Sequence, residues 1–306
     1  MIKIYYRNLR EKELSIVPEF KVGSWVYAEN PTEEEIHRLA KKLNLEEGLL
    51  TDALDTNEVP RMELEGNVTY IYTRVPTQEG DEIKTVPLLI AVGKDFVLTL
   101  SKKEHDFLTK IRKGNTEVYT TQKTKFFIQI FKTINERYSS LLNKIGKSVR
   151  ESMMNIKKIS KNDIAQFVRY ESVLNDFISS LLPTKSTLEK LLSGSYLKLY
   201  EEDEDLIEDL FLANGQLIET SKSTLKTITN IRGAYSTMIT HDLNRVIKLL
   251  TALTIILTIP TIVTSAYGMN ISLPFQDNPL AFFGVLAFTI LVSVILLVVF
   301  IKNEWI

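Results

Sequence analysis

The sequence contains no cysteine and only three histidines among its 306 residues. The lack of cysteine excludes disulfide bonds, thiolate zinc sites, iron–sulfur clusters and cysteine nucleophiles. The histidines, His37, His105 and His241, are far apart and form neither an H-E-x-x-H motif nor another close ligand pair. They are therefore expected to be ordinary solvated or hydrogen-bonded side chains.

An excess of charge of one sign is also lacking. The 37 Lys and Arg residues and 38 Asp and Glu residues give a net charge of −1, which points neither to nucleic acid nor to an acidic substrate. No Ser/His/Asp arrangement occurs, and no paired carboxylates lie in a glycine-rich stretch. We therefore do not expect an enzyme.

A nucleotide-binding loop is not expected either. Gly146-Lys147-Ser148 resembles the end of a Walker A motif, but that motif requires a glycine at position 141, where the chain has Leu141. The surrounding pattern is that of a helix rather than of a strand, a loop and a helix. Transport driven by a bound nucleotide is therefore rejected.

The C-terminal part of the chain almost lacks charged side chains. From Leu249 to Ile301, the one charged residue is Asp277. Two apolar segments, 249–267 and 279–301, come close to or exceed the roughly 20 residues that a helix needs to cross a bilayer. The sequence predicts an integral membrane protein with a two-helix transmembrane hairpin, whose spans are joined by a short outer loop at 268–278.

The flanking charges predict the orientation of this hairpin. Arg245 and Lys248 precede the first span and Lys302 follows the second, whereas the connecting loop has no Lys or Arg. The positive-inside rule then places both termini in the cytoplasm. Because the first residues are charged and typical of a strand, no signal peptide is expected. We expect a multi-pass protein of the cell (plasma) membrane.

Residues 1–120 are predicted to form a cytoplasmic α/β domain. Thr32 and Glu35 make a T-x-x-E capping box before a helix that extends to Leu43, and a second short helix is expected at 46–54. Alternating, β-branched and aromatic residues predict five strands, at residues 2–6, 25–27, 67–75, 86–92 and 96–100. The order β-β-α-α-β-β-β suggests helices packed on a small sheet.

Residues 121–248 are predicted to form a helical stalk region. Apolar residues recur every three or four positions, beginning with Phe126, Phe127, Ile130, Ile134, Tyr138 and Leu141. This pattern extends to about Leu182, and Pro183 is expected to end it. A second helix follows the acidic run 201–205. Because no proline lies between Leu206 and Pro260, it is expected to continue into the first span.

The second helix carries a stripe of mostly apolar or small residues with the same spacing, which includes Ile207, Leu210, Leu217, Ile228, Ile231, Tyr235 and Met238. A stripe that leads directly into a membrane span favours several copies packed around an axis. The alternative is a stalk that packs only against its own chain.

A polar stripe runs along the first span. Thr254, Thr258, Thr261, Ser265 and Gly268 are spaced by 4, 3, 4 and 3 residues. Toward the cytoplasm, the same helix face continues through Thr251, Leu250, Ile247 and Asn244. At the outer end, it finishes at Asn270. Such residues either let helices pack closely or, when repeated about an axis, line a water-filled path. The length of the stripe favours a pore wall.

Two motifs resemble those of the CorA-type magnesium transporter family. Tyr267-Gly268-Met269-Asn270, at the end of the first of two C-terminal spans, is similar to the family signature. Asn244 to Thr251, NRVIKLLT, is similar to its N-x-V-M-K-x-L-T entry to the span. The order of α/β domain, long helix, short outer turn and final span fits nearly the whole chain.

The resemblance implies a homopentameric funnel whose first spans line a central pore. A ring of Asn270 side chains would be the outer filter, with Tyr267, Gly268 and Met269 completing it. Mg²⁺ would be both the transported and the regulatory ion, with no other cofactor. The partners would be other copies of the chain, the lipid bilayer and divalent cations, and Co²⁺ or Ni²⁺ would also be among the ions carried.

The resemblance also implies regulation by a cytoplasmic divalent ion. Its ligands between neighbouring subunits would be Asp52 of the N-terminal domain and Asp209 of the long helix, and binding would hold the pore shut. The alternative is that both are ordinary solvated acids. Asp209→Lys, which would mimic the bound charge, is expected to lower transport.

The chain departs from the family pattern in three places. The outer turn has Leu273 to Asp277 in place of an M-P-E-L-like sequence with its glutamate, Thr51 replaces a second acidic residue, and the basic tail shrinks to Lys302. Two other functions remain open. One is zinc transport, as in a related branch of the family, and the other is a membrane-tethered structural or sensing coiled coil.

Overall fold

The computed structural model describes residues 1–154, 159–197, 199–271 and 280–305. The chain divides into two compact units, Met1–Asn230 and Ile231–Ile306. The described residues of the N-terminal unit include seven strands, β1 to β7, at Ile2–Tyr6, Ser15–Ile16, Ser24–Glu29, Arg61–Glu65, Val68–Glu79, Glu82–Val92 and Phe96–Ser101. Helices α1 to α5 are Glu33–Leu43, Glu47–Asp52, Asp106–Arg112, Lys123–Met154 and Lys161–Leu192. Helix α6, Glu201–Tyr267, belongs to both units, and α7 is Ala281–Lys302.

The strands form one sheet in the order β2-β1-β3-β7-β6-β5-β4. Strands β3 and β7 pair in parallel, and the other neighbouring strands pair antiparallel. The expected hairpin of β6 and β7 is present, with Val92 opposite Val97. Strands β2 and β4 lie at the two edges and were not expected from the sequence.

Alternation along β3 separates two helical layers. Val26 and Ala28 belong to the cluster that packs against α1 and α2, which includes Ile36 and Leu50. The residue before Val26, Trp25, points to the other face, where its ring lies 5.1 Å from that of Phe126 on α4. The sheet is therefore covered by helices on both faces, and the expected α/β class is confirmed.

The capping box of α1 is present. The Thr32 hydroxyl accepts a hydrogen bond from the Glu35 N–H, and the Glu35 carboxylate accepts one from the Thr32 N–H at 3.1 Å. These bonds satisfy two N–H groups that the first turn of a helix leaves without partners. The second expected helix is also present as α2, which ends at Asp52.

The expected end of a helix at Pro183 is wrong. Pro183 lies inside α5, and the break in the helical pattern comes earlier, between the end of α4 at Met154 and the start of α5 at Lys161. A proline removes one backbone hydrogen bond from a helix. Buried residues on both sides of it, Leu181 and Leu188, keep α5 packed and helical.

The continuous second helix is confirmed. Helix α6 comprises 67 residues, with Pro260 inside it. Both α6 and α7 are long and apolar enough to cross a membrane, as the sequence predicts. The connecting segment 272–279, which contains Asp277 and the predicted first residue of the second span, lies outside the described residues.

Candidate functional site

Within the C-terminal unit, one face of the membrane part of α6 is partly or fully buried. Ala252 on this face is 0 % exposed, and Ile256, Val263 and Ala266 are half-buried. Val263 and Ala266 line a cleft together with Val285 of α7. This face is therefore the one that α7 covers.

The polar stripe lies on the opposite face of α6. At about 100° per residue, the centre of the stripe is roughly half a turn from the centre of the buried face. All its predicted members are exposed, namely Asn244, Ile247, Leu250, Thr251, Thr254, Thr258, Thr261 and Ser265. The hydroxyl groups of the stripe are therefore not used to pack the two spans of one chain together.

Three threonines of this stripe, Thr254, Thr258 and Thr261, share one hydrogen-bonding pattern. Thr254 donates its hydroxyl proton to the Leu250 carbonyl at 2.8 Å, Thr258 to Thr254 at 2.7 Å, and Thr261 to Leu257 at 2.8 Å. A hydroxyl has one proton to donate and two lone pairs that accept. With the proton used inside the helix, each oxygen presents only acceptor capacity outward.

The signature tetrapeptide begins where the helix ends. Tyr267 is the last residue of α6, and the Gly268 N–H donates to the Thr264 carbonyl at 3.0 Å. A Cβ at Gly268 would lie 3.3 Å from that same carbonyl oxygen, a close contact that glycine avoids. Met269 and Asn270 follow and are exposed. The amide of Asn270 is thus presented at the end of the polar stripe.

In the N-terminal unit, Asp52 is the last residue of α2 and is paired with an arginine. Its Oδ2 lies 2.7 Å from Nη2 of Arg61, the first residue of β4. The Asp52 side chain remains 46 % exposed, so the pairing leaves the carboxylate open to solvent. The neighbouring Thr51 donates its hydroxyl proton to the Glu47 carbonyl at 3.0 Å.

Asp209 lies in a different environment. It is exposed on α6 and lines a groove of about 390 Å³ between α4 and α6, together with Lys132, Glu136 and Leu210. Within the described part of one chain, no group of three or more His, Cys, Asp or Glu residues is arranged to hold a metal ion.

Arg61 was missed by the sequence reasoning. Three carboxylates contact its guanidinium group, those of Asp52, Glu58 and Glu63. Although partial burial opposes it, hydrogen bonds from the guanidinium to Glu63 and Asp52 raise the pKa of Arg61 above its ordinary value. The sequence feature that could have revealed it is the alternation in 61–65, RMELE. In a strand, this alternation puts Arg61 and Glu63 on the same face.

The three histidines have separate environments and do not form a site. His37 Nδ1 is 2.9 Å from Glu47, and His241 Nδ1 is 3.9 Å from Asp242, both at exposed positions. His105 is buried, with Nε2 at 3.0 Å from the Ser101 hydroxyl.

Comparisons with known proteins place this geometry in a family. A family model described as CorA-like Mg²⁺ transporter protein matches residues 20–302. The "Cobalt/magnesium transport protein CorA" of Methanocaldococcus jannaschii is 26 % identical over 296 residues, which cover 92 % of this chain and 91 % of that protein. The "Magnesium transport protein CorA" of Campylobacter jejuni is 24 % identical over 303 residues, with 92 % and 90 % covered.

Solved structures support the fold. The complete structure of the CorA magnesium transporter from M. jannaschii matches with a TM-score of 0.88 and 23 % identity, over 100 % of this chain and 99 % of that one. The full-length CmaX protein matches with a TM-score of 0.73 and 17 % identity, over 96 % of both chains. Because the family model covers most of the sequence, this chain belongs to the CorA-like Mg²⁺ transporter family.

Proposed function

We propose that this chain transports divalent metal cations across the plasma membrane, with Mg²⁺ as its main ion and Co²⁺ as a second. The observation that carries the proposal is the polar stripe on α6, which faces away from α7. A single stripe cannot enclose an aqueous path in a bilayer, whereas a ring of identical chains with their stripes turned inward does so. The family resemblance supplies the number of copies, five.

The oxygens of the stripe suit a hydrated cation. Mg²⁺ loses its water shell reluctantly and prefers oxygen partners. The hydrogens of its bound waters point outward as donors, and the threonine oxygens of α6 present acceptor capacity. A ring of neutral Asn270 amides at the outer end would accept the same hydrogen bonds. Because the amides carry no charge, the ion would be released more easily than from a ring of carboxylates.

The membrane potential would drive this transport. A divalent ion gains about 4.6 kcal/mol for each 100 mV, twice the value for a single charge. Uptake then needs no bound nucleotide. With both termini in the cytoplasm, as the flanking Arg245, Lys248 and Lys302 favour, the Asn270 ring would face outward and meet the ion first.

Cytoplasmic divalent ions would close the path. Asp52 of one chain and Asp209 of its neighbour would hold the ion, which offsets the repulsion between the two carboxylates. Because the ion would bind the closed arrangement more tightly than the open one, its binding shifts the population toward the closed state. High internal Mg²⁺ would thus lower its own uptake.

Flux into liposomes that contain the purified protein tests the proposal. Asn270→Ala removes the amide ring and is expected to reduce Mg²⁺ uptake at least tenfold while the oligomer stays assembled. Asn303→Ala is the matched control, because its amide donates to the Val299 carbonyl at the other end of α7. If liposomes that contain the wild-type protein take up no divalent ion, the alternative of a membrane-tethered structural coiled coil would be supported instead.

The same liposomes rank the ions. Mg²⁺ is expected to be taken up most readily, with Co²⁺ following. Selective uptake of Zn²⁺ with little Mg²⁺ entry would contradict the assignment of Mg²⁺ and favour a zinc transporter of the same family.

A further inference from the structure

Arg61 lies at the centre of a cluster of acidic side chains beside Asp52. Its Nη2 is 2.7 Å from Asp52, its Nε is 2.5 Å from Glu63, and its Nη1 contacts Glu58. The guanidinium plane also lies over the ring of Tyr72, 4.0 Å from the centroid. The Tyr72 hydroxyl donates to the Leu49 carbonyl of α2 at 2.5 Å, which ties this ring to the helix that ends at Asp52.

The charges in this cluster do not balance. One guanidinium faces three carboxylates, so the cluster of Arg61, Asp52, Glu58 and Glu63 carries a net charge of −2 when all are ionised. The Asp52 and Glu63 side chains are 46 % and 42 % exposed, so a cation from solution can reach them. The arginine occupies the place beside Asp52 that such a cation would take.

We propose that Arg61 is a built-in competitor of the regulatory divalent ion. By pairing with Asp52, it sets the cytoplasmic Mg²⁺ concentration at which transport is shut off. The inference rests on the proposed regulatory role of Asp52 and adds the residue that tunes it. Arg61 is thus a positioning residue that acts through the Asp52 carboxylate.

The geometry makes the exchange easy. When a divalent ion takes Asp52, Arg61 keeps its contacts with Glu58 and Glu63 and its position over Tyr72. The displaced guanidinium is therefore never left without a partner, which would otherwise oppose displacement. Because the Asp52–Arg61 pair is half-exposed and weak, Mg²⁺ can compete with it.

Arg61→Gln tests the proposal in the full-length oligomer. Calorimetric Mg²⁺ titration and the internal Mg²⁺ concentration that halves flux are both measured. Removing the competing charge is expected to shift both midpoints to lower Mg²⁺, by roughly three- to tenfold. Arg61→Lys keeps the charge but not the forked geometry, so its midpoints should lie between those of the wild type and Arg61→Gln.

Lys84→Gln is the matched control. Lys84 has a similarly exposed side chain, 34 % against 32 %, and pairs with Glu79 and Glu82 rather than with Asp52. The Lys84→Gln variant loses one positive charge, as Arg61→Gln does, but its midpoints for Mg²⁺ binding and for inhibition of flux should equal those of the wild type. In an Asp52→Asn background, Arg61→Gln should no longer shift either midpoint, because the carboxylate for which Arg61 and Mg²⁺ compete is absent.

The outcomes separate this inference from the proposed function. If Asp52→Asn weakens Mg²⁺ binding but Arg61→Gln leaves it unchanged or weaker, the competition is overturned and the regulatory site stands. If Asp52→Asn has no effect on binding, the regulatory site and the competition both fall, while the transport measured in liposomes is untouched. If Arg61→Gln does not assemble, Arg61→Lys decides, and midpoints equal to the wild-type values would reject the proposal.

Discussion

The imidazole of His105 is held neutral by its surroundings. The Ser101 hydroxyl donates to the Pro87 carbonyl at 2.8 Å, so its oxygen accepts the proton of His105 Nε2 at 3.0 Å. The remaining ring nitrogen, Nδ1, is buried without a hydrogen-bond partner in the described part of the chain. Burial, reinforced by Arg137, lowers the pKa of His105 to about 4.

This pKa predicts a pH-dependent stability. The unfolded chain binds a proton at His105 near pH 6.5, whereas the folded chain binds it only near pH 4. The contribution of neutral His105 is therefore complete above pH 6.5 and is lost as the pH falls toward 4. The loss amounts to roughly 3 kcal/mol of the free energy of unfolding.

Denaturation of the full-length protein between pH 7.5 and 4 checks this prediction. In His105→Gln, the free energy of unfolding should fall less steeply with decreasing pH than in the wild type. His37→Gln removes an imidazole from an exposed position and serves as the matched control. Equal slopes in all three proteins would show that His105 does not titrate between the two pKa values.

At the scale of the element, the same substitution is expected to have different effects inside and outside the polar stripe of α6. Thr258→Val removes an outward-facing oxygen of the stripe while keeping the shape of the side chain. Repeated around the pore, this loss is expected to lower Mg²⁺ flux about tenfold or more, since one hydrogen bond is worth about 1 kcal/mol. Liposome flux at matched protein content measures it.

Thr264→Val is the control for this element. Thr264 is exposed and donates its hydroxyl proton to the Pro260 carbonyl at 2.9 Å, as the stripe residues do to theirs. It lies outside the stripe, so its loss should leave flux close to that of the wild type. An equal effect of the two variants would indicate a general role of threonine in the stability of the helix.

Elements with a clear residue pattern were predictable from the sequence, whereas the two edge strands β2 and β4 were not. The period of the apolar residues predicted α4 and α6, and a lack of charge predicted the two spans. Strand β2 has only two residues, too few for a period to be read. In β4, the charged Arg61 and Glu63 obscured the alternation of Met62 with its neighbours. Pro183 misled because buried side chains on both sides of it outweigh the local cost of proline.

The candidate site was predictable in part for the same reason. Spacing alone defines a stripe of hydroxyls on one helix face, but it cannot say which face α7 covers, because that depends on the packing of two apolar helices. The pairing of Asp52 with Arg61 was also missed. It depends on β4 lying beside the end of α2, and β4 was not predicted.

At the scale of the whole molecule, the proposed transport predicts a response to voltage. With 100 mV negative inside, a divalent ion accumulates by more than about 10³-fold at equilibrium, since 4.6 kcal/mol corresponds to that ratio. Mg²⁺ uptake into liposomes should therefore rise with an inside-negative potassium diffusion potential, without added nucleotide. Uptake that does not depend on the membrane potential would contradict transport of Mg²⁺ as a charged ion driven by that potential.

The number of copies is part of the same prediction. A path lined by first spans requires a closed ring, and the resemblance implies five chains. Mass determination of the detergent-solubilised protein should give five times the 35.0 kDa of one chain. A monomer that still carries Mg²⁺ would reject the lining of the path by repeated stripes.

The borders of the sheet limit how such copies can meet. One border is a strand of two residues, and the other carries Arg61, Glu63 and Glu65. Short or charged borders resist the addition of a strand from another molecule. Edge-to-edge aggregation of newly synthesised chains through this sheet is thus disfavoured. Association of identical chains is then expected to use helical surfaces.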